Sequence, residues 1–207
     1  MRLLTVGLVT LLAAAAFAAI ETERVPVEDI QGQHWNFDFK FRVPQRIVLK
    51  AKDDTEQVFW AMPYTVTNTD AVAHDFVPSA VMFADTGKLG RDGIYPAVVE
   101  EVKKRYGLKE LKNSVEMVGS LKAGEDEAQD GVFVFPEMEP KMDKFTIFVT
   151  GLSGEFIVRQ IPAAKEGEQP REAVLRKTLQ LVFDFPGDTV DIQADKVYLA
   201  GEKWIWR

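Results

Sequence analysis

The sequence predicts a mostly β fold: an antiparallel β-sandwich with one short helical insertion at about 88–118. Three observations lead to this prediction. Short stretches alternate apolar and polar side chains at every second position, as strands with one buried face do. Gly, Pro, Asn and Asp separate these stretches at a spacing of roughly 10 residues, which is typical of a sandwich. A single segment has helical spacing instead, and the 207 residues are enough for one domain with a buried core.

The alternation begins near residue 35 and predicts a strand that buries one face. The apolar side of this strand holds Trp35, Phe37, Phe39 and Phe41. The segment 57–67 predicts a second long strand. Pro63 within it cannot donate to a ladder, so we expect that strand to lie at an edge or to carry a bulge. Further strands are expected at 47–49, 75–84, 132–135, 145–150, 155–161 and 174–185, and residues 197–199 and 204–206 are expected to form a closing hairpin.

One helix is predicted inside the insertion. Pro96 suits the first turn of a helix, where its missing N–H would have no intrahelical partner. An apolar stripe follows at helical spacing, formed by Val98, Val99, Val102 and Tyr106. Glu100 precedes Lys104 by four residues, which adds an attractive pair on the exposed side. Gly107 is placed to end the helix.

The N-terminal residues have the pattern of a signal peptide. Arg2 supplies a positive start, an apolar run follows, and Ala16-Phe17-Ala18 fits the small-x-small rule for cleavage before Ala19. The run is short for a membrane span, which needs about 20 apolar residues; an uncleaved anchor is the alternative. We expect a secreted or periplasmic protein with no membrane insertion after signal cleavage. The expected parts are a signal peptide (1–18), an extended N-terminal arm (19–33) and a single sandwich domain (34–207).

Composition excludes several classes of function. Acidic residues outnumber basic ones by 32 to 25, and the resulting net charge of −7 disfavours binding to nucleic acid. The chain has no cysteine, so disulfides, iron–sulfur clusters, thiolate zinc sites and cysteine nucleophiles are all excluded. The absence of cysteine also excludes a lipid-modified N-terminus of the lipobox type.

Three segments in order carry a resemblance to a known family. They are YTVTNTDAVAHDF at 64–76, DTGK at 85–88 and LKAGEDEAQDGVFVF at 121–135. This order resembles the immunoglobulin-like extracytoplasmic modules of bacteria, including the DUF4352-type domains. The later GLSGEF and LRKTLQLVF segments are similar to those of uncharacterised secreted bacterial proteins. The resemblance implies an immunoglobulin-like antiparallel sandwich with no catalytic residues to transfer, and the 88–118 insertion departs from the family pattern.

Two acidic segments are weak candidates for calcium, which takes six to eight oxygen ligands. The first consists of Glu125, Asp126, Glu127 and Asp130, and the second of Asp184, Asp188, Asp191 and Asp195. The first does not have the spacing of an EF-hand loop, and a solvated hairpin turn is the simpler explanation for it. His34 and His74 together with methionines could suit copper(I), although methionine usually fills gaps in a core. We expect no metal and no cofactor.

Candidates for ligand binding and catalysis are few. Trp204 and Trp206 lie two residues apart and share a strand face, so both belong to the core or both form a platform for a ligand. Ser153 lies in a GLSG segment that does not match the nucleophile elbow, and a Gly-rich turn is the simpler explanation. No catalytic residue is assigned.

These observations favour a protein that is not an enzyme. The first hypothesis is a non-catalytic binding or structural module whose partner contacts strand edges near Pro63 and Pro78, or the 88–118 insertion. A carbohydrate- or cell-wall-binding module that uses tryptophans is the second. A glycoside-type hydrolase is the third, because it needs only a suitably spaced pair of carboxyl groups. The expected partner is an unknown protein or glycan of the cell envelope.

Overall fold

The computed structural model describes residues 25–51, 53–138, 142–162, 169–185 and 197–207. The signal-peptide prediction and the first part of the predicted arm lie outside the described residues. The described elements in chain order are β1 (Gln31–Asn36), β2 (Asp38–Phe41), β3 (Gln45–Lys50), β4 (Glu56–Thr67), β5 (His74–Phe76), β6 (Ser79–Ala84), β7 (Leu89–Arg91), α1 (Pro96–Tyr106), β8 (Lys112–Asn113), β9 (Gly119–Leu121), β10 (Gln129–Pro136), β11 (Lys144–Thr150), β12 (Ser153–Ile161), β13 (Arg171–Asp184) and β14 (Tyr198–Trp206).

The strands form two main sheets, which confirms the predicted β-sandwich. The larger sheet has the order β1-β12-β13-β11-β6-β7, with β14 also paired to β13. The smaller sheet has the order β2-β4-β10-β8, with β3 also paired to β4. All strand pairs in both sheets are antiparallel except the short β8–β10 pair. Strands β5 and β9 form a separate two-stranded ribbon.

The main core lies between the inner faces of the two sheets. Trp60 of the smaller sheet meets Phe145 of the larger one at a ring-centroid distance of 5.2 Å, and Phe145 also meets Phe183 at 5.3 Å. All three are fully buried. Burial of such large aromatic surfaces is the dominant stabilising contribution in a sandwich of this kind.

The strand predicted to begin near residue 35 is two strands in two different sheets. The chain leaves β1 at Asn36, and the Phe37 N–H donates to the Leu152 carbonyl at 2.9 Å before β2 begins. The alternation continues through this crossing because both strands bury the same side of the chain in one shared core. Residues 31–33, which we assigned to the extended arm, belong to β1 and pair with β12.

The prediction that Pro63 marks an edge or a bulge was wrong. β4 is a central strand, with β10 along one side and both β2 and β3 along the other. Pro63 lies between the segments that pair with β2 and β3, and its carbonyl accepts from the Arg42 N–H at 2.8 Å as the chain passes from one strand to the other. The N–H and C=O of one strand residue point to the same side, so the missing donor faces this gap and no ladder bond is lost.

Two further strand boundaries differ from the predictions. The predicted strand 75–84 is divided at Val77-Pro78 into β5 and β6. The predicted closing hairpin is the single strand β14, which pairs along β13 with an irregularity between Val182 and Phe183. The pairing partner explains the second difference: β13 is 14 residues long, long enough to hold the whole C-terminal segment in one ladder.

The helix prediction is confirmed at both ends. Pro96 is at the helix start, and Gly107 ends it in the left-handed conformation with φ 65°, which glycine adopts without strain. The buried side of α1 holds Val98, Val99 and Val102, which pack on the outer face of the smaller sheet in a second apolar cluster. On the outer face of the larger sheet, the apolar ring of Phe83 is 42% exposed.

Candidate binding cleft

A cleft opens where both sheets end on the same side of the sandwich. β2 is the last strand of the smaller sheet, and β14 pairs with β13 alone among the described strands. The cleft between these two strands, called here the seam cleft, has a volume of about 320 Å³. It is lined by Asn36, Phe37, Asp38, Phe39, Lys177, Leu179, Glu202 and Trp204.

Strand register explains why β14 contributes a wall to this cleft. Trp204 lies opposite Leu179, and Glu202 lies opposite Leu181. Both leucines are buried in the main core, so Glu202 and Trp204 point to the inner side of their sheet. The facing sheet ends at β2, and these two side chains therefore border an opening instead of a closed core.

Lys177 is held in the seam cleft by an ion pair. Its Nζ lies 2.6 Å from Glu155 Oε2, and the side chains of Lys177 and Glu155 are 20% and 12% exposed. His34 Nδ1 lies 3.0 Å from the other carboxylate oxygen, Oε1. Burial would raise the pKa of Glu155, but the hydrogen bonds from Lys177 and His34 outweigh burial and hold this pKa below its ordinary value.

The indole of Trp204 lies next to this ion pair. Lys177 Nζ is above the ring, 5.3 Å from its centroid, a cation–π contact. Trp204 is half-buried and packs against the main core. The two tryptophans share a face as expected, but Trp206 does not line the seam cleft. Trp204 thus packs partly against the core and partly lines the cleft, so neither alternative, core or ligand platform, describes it alone.

In the first acidic segment, Glu127 and Asp130 make contacts with other side chains of the protein. Glu125, Asp126 and Glu127 form a 3₁₀ turn before β10. Glu127 pairs with Lys122 at 3.3 Å, and Asp130 Oδ1 accepts from the Thr65 hydroxyl at 2.6 Å. Within the described parts of the chain, no three acidic or histidine side chains come together in a way that could hold a metal ion.

Only one residue of the second acidic segment is described. Asp184 lines a surface hollow of about 430 Å³ with Asp85 and Asp143, and its carboxylate lies 3.3 Å from Lys144 Nζ. Asp188, Asp191 and Asp195 lie outside the described residues. The geometry of the described part therefore adds no support for calcium.

The remaining candidates, which are His74, Ser153 and the methionines, make contacts typical of residues that stabilise the fold. The His74 ring donates from Nε2 to the Asp70 carboxylate at 2.6 Å and stacks on Trp35 with a ring-centroid distance of 4.6 Å. Ser153 Oγ donates to the Trp35 carbonyl at 3.0 Å and accepts from the Glu155 N–H, which fixes the turn into β12. The core includes Met62, Met82, Met117 and Met142, all buried.

Asp92 is a buried carboxyl group that the sequence analysis missed. One oxygen accepts from the Val134 N–H at 2.6 Å, and the other accepts from the Ser114 hydroxyl. The next residue, Gly93, donates to the Val134 carbonyl at 2.9 Å. Asp92 and Gly93 therefore form hydrogen bonds with the backbone N–H and C=O of Val134, on the edge of β10 that the short strand β8 does not reach. An Asp-Gly pair between a strand and a helix is typical of an exposed turn, so the sequence carried no signal of this role.

Replacing Asp92 should change how stability depends on pH. Burial raises the pKa of Asp92 to about 6 from an ordinary 3.8. Between these values the folded state binds more protons than the unfolded state, so the group makes the protein less stable as pH rises from about 4 to about 6. We expect the free energy of unfolding of wild type, relative to Asp92→Asn, to fall by about 2 to 3 kcal/mol over that range. Urea unfolding at several pH values measures it, and a constant difference would contradict the assignment.

Comparisons with known proteins identify no relative of this chain. No protein-family model, no curated protein and no solved structure matches this chain. No helix among the described residues has the length and apolar character needed to cross a membrane. The seam cleft must therefore be interpreted from its own chemistry.

Proposed function

We propose that this protein is a non-catalytic extracytoplasmic binding module that holds a glycan in the seam cleft. The observation that carries the proposal is the composition of the cleft wall. It combines the aromatic ring of Trp204, the carboxylate of Glu202 and the ammonium of Lys177 with two polar residues of the opposite edge, Asn36 and Asp38. Ligand sites typically place a few polar groups on an otherwise apolar lining.

Each part of this wall suits a part of a sugar. The C–H face of a pyranose ring is apolar and packs on an aromatic ring such as that of Trp204. Sugar hydroxyls both donate and accept, so they match carboxylate acceptors, the ammonium donor and an amide that does both. The apolar floor, which includes Phe37 and Leu179, excludes water beneath the ligand. The Glu155 ion pair holds Lys177 in place before any ligand arrives, which lowers the ordering cost of binding.

The surroundings of the acids favour binding over glycoside hydrolysis. A glycosidase needs a general acid whose pKa is raised, commonly by an apolar pocket. Asp38 and Glu202 are both exposed at the mouth of the seam cleft. Asp38 Oδ2 also lies 3.3 Å from Lys40 Nζ. Neither carboxyl group has the enclosed environment that such chemistry requires.

The extracytoplasmic part of the proposal has separate support. The N-terminal sequence has the features of a signal peptide, and a cysteine-free chain needs no particular redox environment. The two-layer antiparallel architecture agrees with the resemblance to immunoglobulin-like extracytoplasmic modules, and we keep that affiliation as part of the proposal.

Titration with soluble oligosaccharides tests the proposal. We expect at least one member of a panel of cellohexaose, chitin hexamer, glucosamine hexamer and hexagalacturonate to bind, as measured by calorimetry. Trp204→Ala should weaken that binding by about tenfold or more, since loss of an aromatic contact costs about 1.4 kcal/mol or more. Trp206→Ala is the matched control, and it should bind as wild type does.

Two outcomes would contradict the proposal. One is that no oligosaccharide of the panel binds to folded protein at millimolar concentration. The other is that binding is equally weakened by both tryptophan substitutions, which would place the ligand elsewhere. The first outcome would favour a protein partner instead, for which the exposed Phe83 ring on the outer face of the larger sheet is one available contact.

A further inference from the structure

We infer that the glycan taken by the seam cleft carries free amino groups, as in a chain of unacetylated glucosamine. This inference rests on the proposed function and specifies its ligand. The carrying observation is an imbalance of charge in the cleft: Lys177 is already paired, whereas Glu202 makes no ion pair with any other described residue.

The charge of Lys177 is used inside the protein. Its ammonium lies 2.6 Å from Glu155 and over the Trp204 ring. Two of the preferred interactions of an ammonium group, a carboxylate and an aromatic face, are therefore already in place. The ion pair leaves little net positive charge to attract an anionic ligand. A uronic acid would also have to approach the nearby carboxylate of Glu202.

The charge of Glu202, unlike that of Lys177, is available to a ligand. Its carboxylate lines the seam cleft, and it makes no ion pair within the described parts of the chain. It precedes Trp204 by two residues on one strand face, so a ligand lying against the indole is also close to this carboxylate. Asp38 lies across the cleft, but its side chain alternates with the inward-facing Phe37 and Phe39, and its carboxylate contacts Lys40 at 3.3 Å.

A ligand ammonium group fits this arrangement. Its positive charge would pair with Glu202, and its three N–H donors match carboxylate oxygens. An N-acetyl group on the same sugar removes the charge while keeping the ring, so the two sugar types separate the charge contribution from the stacking contribution.

The experiment compares three oligosaccharides of equal length. Glucosamine hexamer, chitin hexamer and hexagalacturonate are titrated into the mature protein at mildly acidic pH, where the amino groups are charged. We expect glucosamine hexamer to bind about tenfold tighter than chitin hexamer, and hexagalacturonate to bind weakest. Raising the salt from about 0.01 M to about 0.15 M should reduce this preference by shortening the Debye length.

Substitution of Glu202 identifies the group responsible. Glu202→Gln keeps the shape and should remove most of the preference for glucosamine hexamer while leaving chitin hexamer unaffected. Glu56→Gln, an exposed carboxylate at the start of β4 outside the cleft lining, is the matched control and should retain the preference.

The outcomes distinguish this inference from the proposed function. Equal binding of glucosamine and chitin hexamers would overturn the inference and leave glycan binding in place. A preference that survives in Glu202→Gln would also overturn it. Binding of cellohexaose with no binding of these three would overturn the inference alone, whereas failure of all four oligosaccharides would remove the proposed function itself.

Discussion

Phe145→Ala is expected to lower the free energy of unfolding by about 4 kcal/mol. The Phe145 ring is fully buried and meets three other rings: Trp60 at 5.2 Å, Phe183 at 5.3 Å and Phe185 at 5.7 Å. Trp60 belongs to the smaller sheet, so the substitution removes a contact that joins the two layers. The loss combines the transfer free energy of the ring with the cavity left between the sheets, which the long strands around it cannot close.

Phe83→Ala is the matched control for this prediction. Phe83 lies on β6, which pairs directly with β11, but its ring is 42% exposed on the outer face of the same sheet. We expect this change to cost about 1 kcal/mol or less, because little apolar surface leaves the interior. Urea unfolding followed by tryptophan fluorescence measures both values. Similar losses for the two variants would mean that the space between the sheets is not the main core.

The faces of the strands could be predicted from the sequence because they depend on local alternation. In β4, the side that holds Trp60, Met62 and Tyr64 is buried in the main core, as the pattern indicates. The helix ends were also predictable, since Pro96 and Gly107 act through their own backbone restrictions. Such signals need no knowledge of distant segments.

Pairing partners could not be predicted in the same way. Alternation specifies which side of a chain is buried but not which sheet the chain belongs to. The passage from the larger to the smaller sheet at Phe37 could therefore not be predicted. The position of Pro63 in a central strand depends on β2 and β3 ending on either side of it. The length of β14 likewise depends on β13, whose paired residues lie 14 to 29 positions earlier along the chain.

The candidate site was only partly visible in the sequence. Trp204 was identified because it shares a strand face with Trp206, whereas the described geometry does not support the acidic segments as a metal site. Lys177 is a charged residue on the apolar side of β13. Its partner Glu155 lies 22 residues away and His34 lies 121 residues from Glu155. No local pattern brings these residues together, and only the pairing of β1, β12 and β13 does so.

Lys177→Met is expected to destabilise the protein by about 3 kcal/mol near neutral pH. The substitution keeps an unbranched side chain one atom shorter but leaves the Glu155 carboxylate, only 12% exposed, without its closest cation. His34 remains 3.0 Å away, but its side chain is 64% exposed and compensates only in part. The cost therefore comes mainly from a nearly buried charge without its partner, and much less from lost packing.

The pH dependence separates these two causes. In wild type the pKa of Glu155 lies below its ordinary value of 4.5, so its ion pair contributes stability above that value and loses it as pH falls through the lowered pKa. In Lys177→Met, acid instead protonates the unpaired carboxylate and relieves its penalty. The difference between the two proteins should thus shrink as pH falls below about 4.

A double-mutant cycle completes the test. Glu155→Gln combined with Lys177→Met removes both charges, so the double variant should be more stable than the sum of the single losses predicts, by about 1 kcal/mol or more. Urea unfolding of all four proteins at neutral and acidic pH gives the coupling free energy. Additive losses, or a cost of Lys177→Met that stays constant with pH, would show that Lys177 acts through packing alone. The ion pair could not then be what holds its ammonium in the seam cleft.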